Sequence, residues 1–253
     1  MSVLALYNIK GGVGKTAAAV NIGYCATLED ITTLIIDLDP QGSATYYFRT
    51  KPSKKYNAKK LVQGGDVLGK YIKGTDFINL DILPSHLSLR SLDILFNKKS
   101  HSKKRLQNIL KPLKKQYPLI ILDCPPNISL ETENIFRATD VILIPFIPTT
   151  LSLLGYDRVL EYFQQKALNT SCIKVFFSMV AQRKSMHKQI MKKMVLDDSH
   201  FFNIAIPYSS EVEKMGIHRE PVLVTKPNSK ASAAFIRLWN ETKPFLFLPQ
   251  RNI

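Results

Sequence analysis

Short apolar runs recur along the chain at 3–7, 33–38, 77–83, 119–122, 141–146, 173–180 and 201–206, with helix-length segments between most of them. The runs are continuous instead of alternating apolar with polar. That pattern predicts strands buried on both faces, hence a mainly parallel twisted sheet with helices on both sides, an α/β fold. The first run ends in a glycine-rich turn followed by an alanine-rich stretch at 16–28, which reads as strand, loop and helix. Leu106, Ile109, Leu110 and Leu113, and later Ala231, Phe235, Leu238 and Trp239, fall at helical spacing and are expected to pack in the core. The stretch 50–102 is the least regular: Pro52, Gly64-Gly65, Gly69, Gly74 and lysine pairs interrupt it. It is expected as a basic surface excursion on a single domain spanning 1–253, with no linker or repeat.

At 253 residues and 45% hydrophobic content, the chain can bury a substantial core. Its three cysteines, Cys25, Cys124 and Cys172, are few, odd in number and far apart. They suggest neither a disulfide framework nor a metal pair, and they fit a reducing cytoplasm. No leader precedes the run at Val3, and no stretch approaches the ~18–20 apolar residues that span a bilayer. A net charge of +15 calls for an acidic partner, most simply nucleic acid. The charge is concentrated: Arg49 to Gln116 holds 17 Lys and Arg against four acids. Either this region contributes to DNA binding or it docks an acidic partner.

The glycine-rich turn reads Lys10-Gly11-Gly12-Val13-Gly14-Lys15-Thr16. It departs from the usual phosphate loop because Ile9 stands where the first glycine would be. The physical need is still met, since glycines let backbone N–H groups turn inward around phosphate oxygens at the positive end of a helix. Lys15 would reach the β- and γ-phosphates, the Thr16 hydroxyl would bind Mg²⁺, and the Ala17 N–H would meet the α-phosphate. Lys10 is a second cation at a site that already has Lys15.

A lysine at the start of the loop resembles the signature of the ParA/MinD family of P-loop ATPases, closest to short ParA-type forms without an N-terminal DNA-reading domain. The resemblance continues through Asp37-Leu38-Asp39-Pro40-Gln41-Gly42-Ser43, Asp123-Cys124-Pro125-Pro126, Ile144-Pro145, Ile206-Pro207-Tyr208 and Pro227-Asn228-Ser229-Lys230-Ala231. It implies an ATPase using ATP and Mg²⁺, slow without a stimulating partner. Asp39 would orient the attacking water, Asp123 would hold Mg²⁺ through a coordinated water with Thr16 and Asp39 nearby, and Asp37 would support this network. Met179 and Pro207 would lie near adenine. Lys10 would cross to the partner's nucleotide in an ATP-bound homodimer. Such proteins bind nonspecific DNA on the nucleoid and move plasmids, chromosome origins or protein cargo, with a centromere-binding or cargo-adaptor protein stimulating hydrolysis. Two departures stand out: Ala17 replaces a hydroxyl residue, and Tyr208 and Glu211 occupy positions where relatives carry arginines.

A candidate DNA surface is the helix predicted after Gln182. Lys184, Lys188 and Lys192 recur every four residues, while Met186, Ile190 and Met194 lie about 200° away. Arg183 and Lys193 add to the basic face, and a merely solvated helix face is the alternative. The tail 243–249 carries a proline near each end and is too short for an amphipathic membrane anchor, although its apolar residues could pack on the domain or on a partner. Two other readings of the scaffold are weaker. Lys10 and the Asp-Pro-Gln-Gly motif argue against a small-molecule ligase resembling dethiobiotin synthetase, and the cysteines do not suit a nitrogenase-type cluster.

Overall fold

Each of the seven apolar runs contains a strand in the computed structural model, which describes residues 2–97 and 102–247. These are β1 (Ser2–Leu6), β2 (Thr33–Asp37), β4 (Leu80–Leu83), β5 (Leu119–Asp123), β6 (Val141–Phe146), β7 (Ile173–Val180) and β8 (Phe201–Pro207). With β3, the two-residue pair Lys73–Gly74 that the apolar pattern does not reveal, they form one sheet ordered β3-β4-β2-β5-β1-β6-β7-β8. Among the described residues, only the β3–β4 pairing is antiparallel.

Continuous apolarity has the expected cause. Val3, Ala5, Leu34, Ile36, Ile120, Leu122, Ile142 and Ile144 pack on one face of the sheet. Their chain neighbours Leu4, Leu6, Ile35, Ile121 and Leu143 pack on the other. Both pleat faces are therefore covered by helices, and no strand position in the centre is free to be polar until the strand ends. The helices Lys15–Thr27 and Lys230–Leu246 cover the second face, where Trp239 is buried and its indole N–H donates to Glu29 at 2.9 Å.

The stretch after Thr50 is more deeply integrated than a surface excursion. It supplies β3 and β4, and its Tyr56, Leu61, Leu68, Leu89, Leu92 and Phe96 are buried in the first core cluster. Short helices Ala58–Gln63, Leu92–Asn97 and Arg105–Leu110 pack together there, which hides a regular apolar pattern behind frequent breaks. Its described lysines are exposed apart from half-buried Lys60, and Lys98 and Lys99 lie outside the described residues.

Two further expectations change. Pro244 does not break the chain, because it sits in the last turn of Lys230–Leu246, where its missing N–H leaves only the carbonyl of exposed Asn240 without a helical donor. Phe245 then packs on Phe202, ring centroids 5.7 Å apart, with the Lys174 ammonium 4.3 Å from the Phe245 centroid. Leu248 and Pro249 lie outside the described residues. The helix Ser185–Asp197 exists as expected, but its buried face is rotated. His187 is buried and accepts from the Ala181 N–H at 3.2 Å, while Ile190, Met191, Met194 and Val195 pack on the core. Met186 is 41% exposed and does not belong to the apolar face. The lysine stripe thus flanks the buried face instead of opposing it. Among the described residues, no helix is long and apolar enough to cross a membrane.

Candidate nucleotide site

The site forms where three neighbouring parallel strands end. β1 leads into the phosphate loop, and Asp37 and Asp123 are register partners at the ends of β2 and β5. Ligands of open parallel sheets gather at this carboxyl edge, because the strand-to-helix loops and helix N-termini converge there. The loop needs its glycines: Gly12 and Gly14 have φ of 70° and 93°, which other residues rarely adopt. Gly14 immediately precedes the helix that begins at Lys15, and the Val13 carbonyl accepts from the Ser178 hydroxyl at 2.8 Å.

Lys15 is buried and donates to the Lys10 carbonyl at 3.0 Å, which curls the loop around its ammonium. Burial lowers its pKa, opposed by the nearby Asp123, Cys124 and Asp39. Asp123 is fully buried, and neither carboxylate oxygen has a hydrogen-bond partner. Burial first, and then Asp37, push its pKa well up; the Thr16 hydroxyl beside it eases this without an ordinary hydrogen bond. Asp37 has one satisfied oxygen, which accepts from the Thr45 N–H at 2.8 Å and the Thr45 hydroxyl at 2.7 Å. Its other oxygen is unpartnered, and burial raises its pKa to about 7.

Unpaired buried carboxylates cost several kcal/mol and persist where a ligand or cation completes them. The donor set of Thr16 and Asp123, next to Lys15 and the glycine loop, fits a magnesium-bound triphosphate. Asp39 faces a 440 Å³ cleft lined also by Gly11, Gly12, Lys15, Thr16 and Ala17. Its carboxylate accepts from the Gln41 N–H at 2.9 Å, and its own carbonyl accepts from the Ser85 hydroxyl at 2.6 Å. Met179 lines both this cleft and an adjoining narrow recess that contains Pro207, Tyr208 and Val212. The structure thus brings the phosphate-loop, carboxylate and base-side candidates together.

Lys10 is partly exposed at the rim, and its ammonium donates to the Leu151 carbonyl in the first turn of the helix Thr150–Gln165. Within one chain it does not enter its own phosphate site. The basic candidates lie elsewhere: Arg183, Lys184, Lys188, Lys192 and Lys193 are all exposed on or beside Ser185–Asp197. In the 49–116 stretch, only Arg49 and Lys103 pair with carboxylates among the described residues.

Three supporting residues escaped the sequence reading. Thr45 holds Asp37, and Ser85, just past β4, joins Thr45 to Asp39: its N–H donates to the Thr45 hydroxyl at 2.7 Å. Thr45 follows the Asp-Pro-Gln-Gly motif closely enough to be suspected, but Ser85 is brought in only by the β2–β4 pairing. Glu131 is buried with one oxygen unpartnered, and burial, then Asp93 and Asp39, raise its pKa to about 8.

This geometry defines a P-loop nucleotide-binding protein. Residues 1–176 match the AAA_31 family, described as an AAA domain. The sporulation initiation inhibitor protein Soj of Bacillus subtilis is 30% identical over 248 residues, covering 94% of this chain and 97% of Soj. Similar folds include a plasmid partition protein of Borrelia burgdorferi bound to AMPPNP, with TM-score 0.80, 21% identity and coverage of 96% of this chain and 99% of that one. Cobyrinic acid a,c-diamide synthase of Mycobacterium smegmatis, bound to an ATP analogue and magnesium, has TM-score 0.76 and 20% identity, covering 96% and 95%. The chain belongs to the ParA/Soj family of P-loop ATPases, which use ATP with Mg²⁺.

If Asp39 acts on the attacking water, Ser85→Ala should lower turnover about tenfold while ATP affinity holds, because a small displacement of Asp39 would then harm the chemistry more than binding. Nucleotide titration and steady-state hydrolysis check this, and unchanged turnover would count against it. Glu131 gives a pH prediction. Its folded pKa of about 8 exceeds the ordinary 4.5, so its contribution to stability is complete below the ordinary value and is lost as pH rises through about 8. Between pH 6 and 9 the wild type should lose about 2–3 kcal/mol that Glu131→Gln retains. Parallel stability curves in urea titrations would contradict it.

Proposed function

We propose that the protein is a ParA-type partition ATPase that dimerises on ATP, binds DNA without sequence preference, and is released when a partner stimulates hydrolysis. The observation that carries this reading is the pair of strand-end carboxylates left unsatisfied beside a phosphate loop, with a second lysine, Lys10, held at its open rim.

Lys15 and the loop N–H groups hold the phosphates, Thr16 and Asp123 hold Mg²⁺, and Asp39 orients the attacking water. The metal supplies charge neutralisation on the transferred phosphoryl oxygens. Lys10 leaves the Leu151 carbonyl for the nucleotide of the facing subunit and stabilises charge there, so ATP templates the dimer and hydrolysis loosens it. Met179 and Pro207 flank the base.

The Arg183, Lys184, Lys188, Lys192 and Lys193 cations give salt-sensitive contacts to phosphates. The cargo is a plasmid or chromosomal DNA, with a centromere-binding protein as the stimulating partner; a cargo-adaptor protein takes that role if the cargo is a protein assembly. A small-molecule ligase on this fold is separated by one property, since the proposed enzyme hydrolyses ATP with no acceptor present.

Lys15→Ala should abolish ATP binding, whereas Asp39→Ala should retain an ATP-bound dimer without turnover. Lys10→Ala should bind ATP yet lose the rise in specific activity with protein concentration. Light scattering and hydrolysis assays decide this, and dimer formation and turnover unchanged in Lys10→Ala would refute the trans role. DNA retention should require ATP over ADP, and log affinity should fall linearly with log salt concentration. Retention that ignores nucleotide or salt would defeat the DNA reading.

A further inference from the structure

The two edges of the sheet are built differently. β3 closes one edge with two exposed residues, one of them Lys73. β8 closes the other with the seven-residue run Phe-Phe-Asn-Ile-Ala-Ile-Pro, which carries no charge. Among the described residues β8 pairs only with β7, with two register shifts in that pairing, and as the last strand of the sheet it has no strand on its outer side. Natural sheets guard such edges with charge, proline, short length or a covering element. On β8 itself, Pro207 at the strand's end and the irregular register serve that purpose, and no charged residue does.

A groove follows this edge. Between β8 and the helix Ser185–Asp197 lies a cavity of about 840 Å³, floored by Val180, Met191, Val195 and Ala205. It continues around Ala205 and Pro207 into a second cavity of about 460 Å³ against the helix Lys230–Leu246, where Ala233 and Ile236 form the floor. The rim is cationic, with Arg183, Lys188 and Lys192 on the first cavity and Lys230 and Arg237 on the second. No Asp or Glu lines either cavity, and none of these five cations pairs with a carboxylate among the described residues.

A DNA duplex would meet the cations and leave the apolar floor and the strand edge uncovered. An extended polypeptide satisfies all three features. Its main chain pairs with β8, alternate side chains enter the floor, and the acidic ones between them meet the rim. We propose that the β8 edge is the docking site for an extended segment of a partner protein in which acidic and apolar residues alternate, added to the sheet as a further strand. The seven residues of β8 span about 23 Å, which sets a segment of similar length. Arg183, Lys188 and Lys192 also belong to the DNA surface proposed above. The corollary that segment and DNA exclude one another rests on that reading; the docking itself does not.

The test is fluorescence anisotropy on the full chain with a labelled eight-residue peptide of alternating Glu and Val. The controls are a Lys-Val counterpart, a backbone-N-methylated Glu-Val copy that cannot pair as a strand, and a 20-base-pair duplex. The Glu-Val peptide should bind saturably, with at least tenfold weaker binding for both control peptides. Binding should fall at least tenfold in Lys188→Glu/Lys192→Glu and in Ile236→Glu, two variants at exposed positions whose folding is verified by melting curves. Failure of the Glu-Val peptide to bind, equal binding of either control peptide, or undiminished binding by either folded variant overturns the proposal. A protein that retains the duplex but not the peptide overturns the docking site and leaves the DNA reading standing. Binding of the peptide without the duplex supports the docking site and removes only the DNA reading.

Discussion

Two acids side by side at the ends of neighbouring buried strands constrain everything around them. Asp37 and Asp123 are register partners, both buried, and three of their four carboxylate oxygens find no hydrogen-bond donor among the described residues. Such an arrangement is electrostatically costly, and Thr45 at Asp37, with Thr16 and Lys15 at Asp123, offsets only part of it. A fold that keeps this cost keeps it for a ligand. The glycine loop and helix N-terminus favour phosphate, the carboxylates favour a divalent cation, and together they account for a magnesium nucleotide site without reference to any single residue.

The carboxylates are also wired to the rest of the domain. Thr45 binds Asp37 through both its N–H and its hydroxyl, and Ser85 connects Thr45 to the backbone of Asp39. The short helix Ser43–Tyr47 that carries Thr45 is tethered beyond its end as well. Arg49 pairs with Asp76 at 3.1 Å and with Glu220, and the Arg219 guanidinium lies 4.5 Å from the Tyr46 centroid. Exposed ion pairs of this kind contribute little stability individually. Their effect is geometric, linking the loop that carries Asp39 to the segment after β8 that borders the recess at Met179 and Pro207.

The sheet was largely legible because strands buried on both faces write themselves as unbroken apolar runs, and the phosphate loop because its glycines meet a backbone requirement. β3 was not legible, since two residues carry no periodicity. The 50–102 stretch looked peripheral because its short helices are separated by glycine and proline, yet Leu61, Leu68 and Phe96 reach the core. In Ser185–Asp197 the buried face lies a fraction of a turn from the apolar spacing. Met186 matched the apolar spacing, but His187 makes the inward contact, and hydropathy gives histidine no such role. Ser85 and Glu131 matter through tertiary neighbours that no local spacing encodes. The folding back of Lys10 onto Leu151 is likewise a property of the assembled chain.

If the buried carboxylates exist to complete a metal-bound nucleotide, ligand and metal must stabilise the fold jointly. The direct measurement is the melting temperature of wild type and Asp123→Asn with no ligand, with ATP plus chelator, and with ATP plus Mg²⁺. The account predicts that wild type gains much more from ATP with Mg²⁺ than from ATP alone, and that Asp123→Asn loses most of this metal-dependent increment. Equal gains with and without the metal, or an increment that survives in Asp123→Asn, would contradict it.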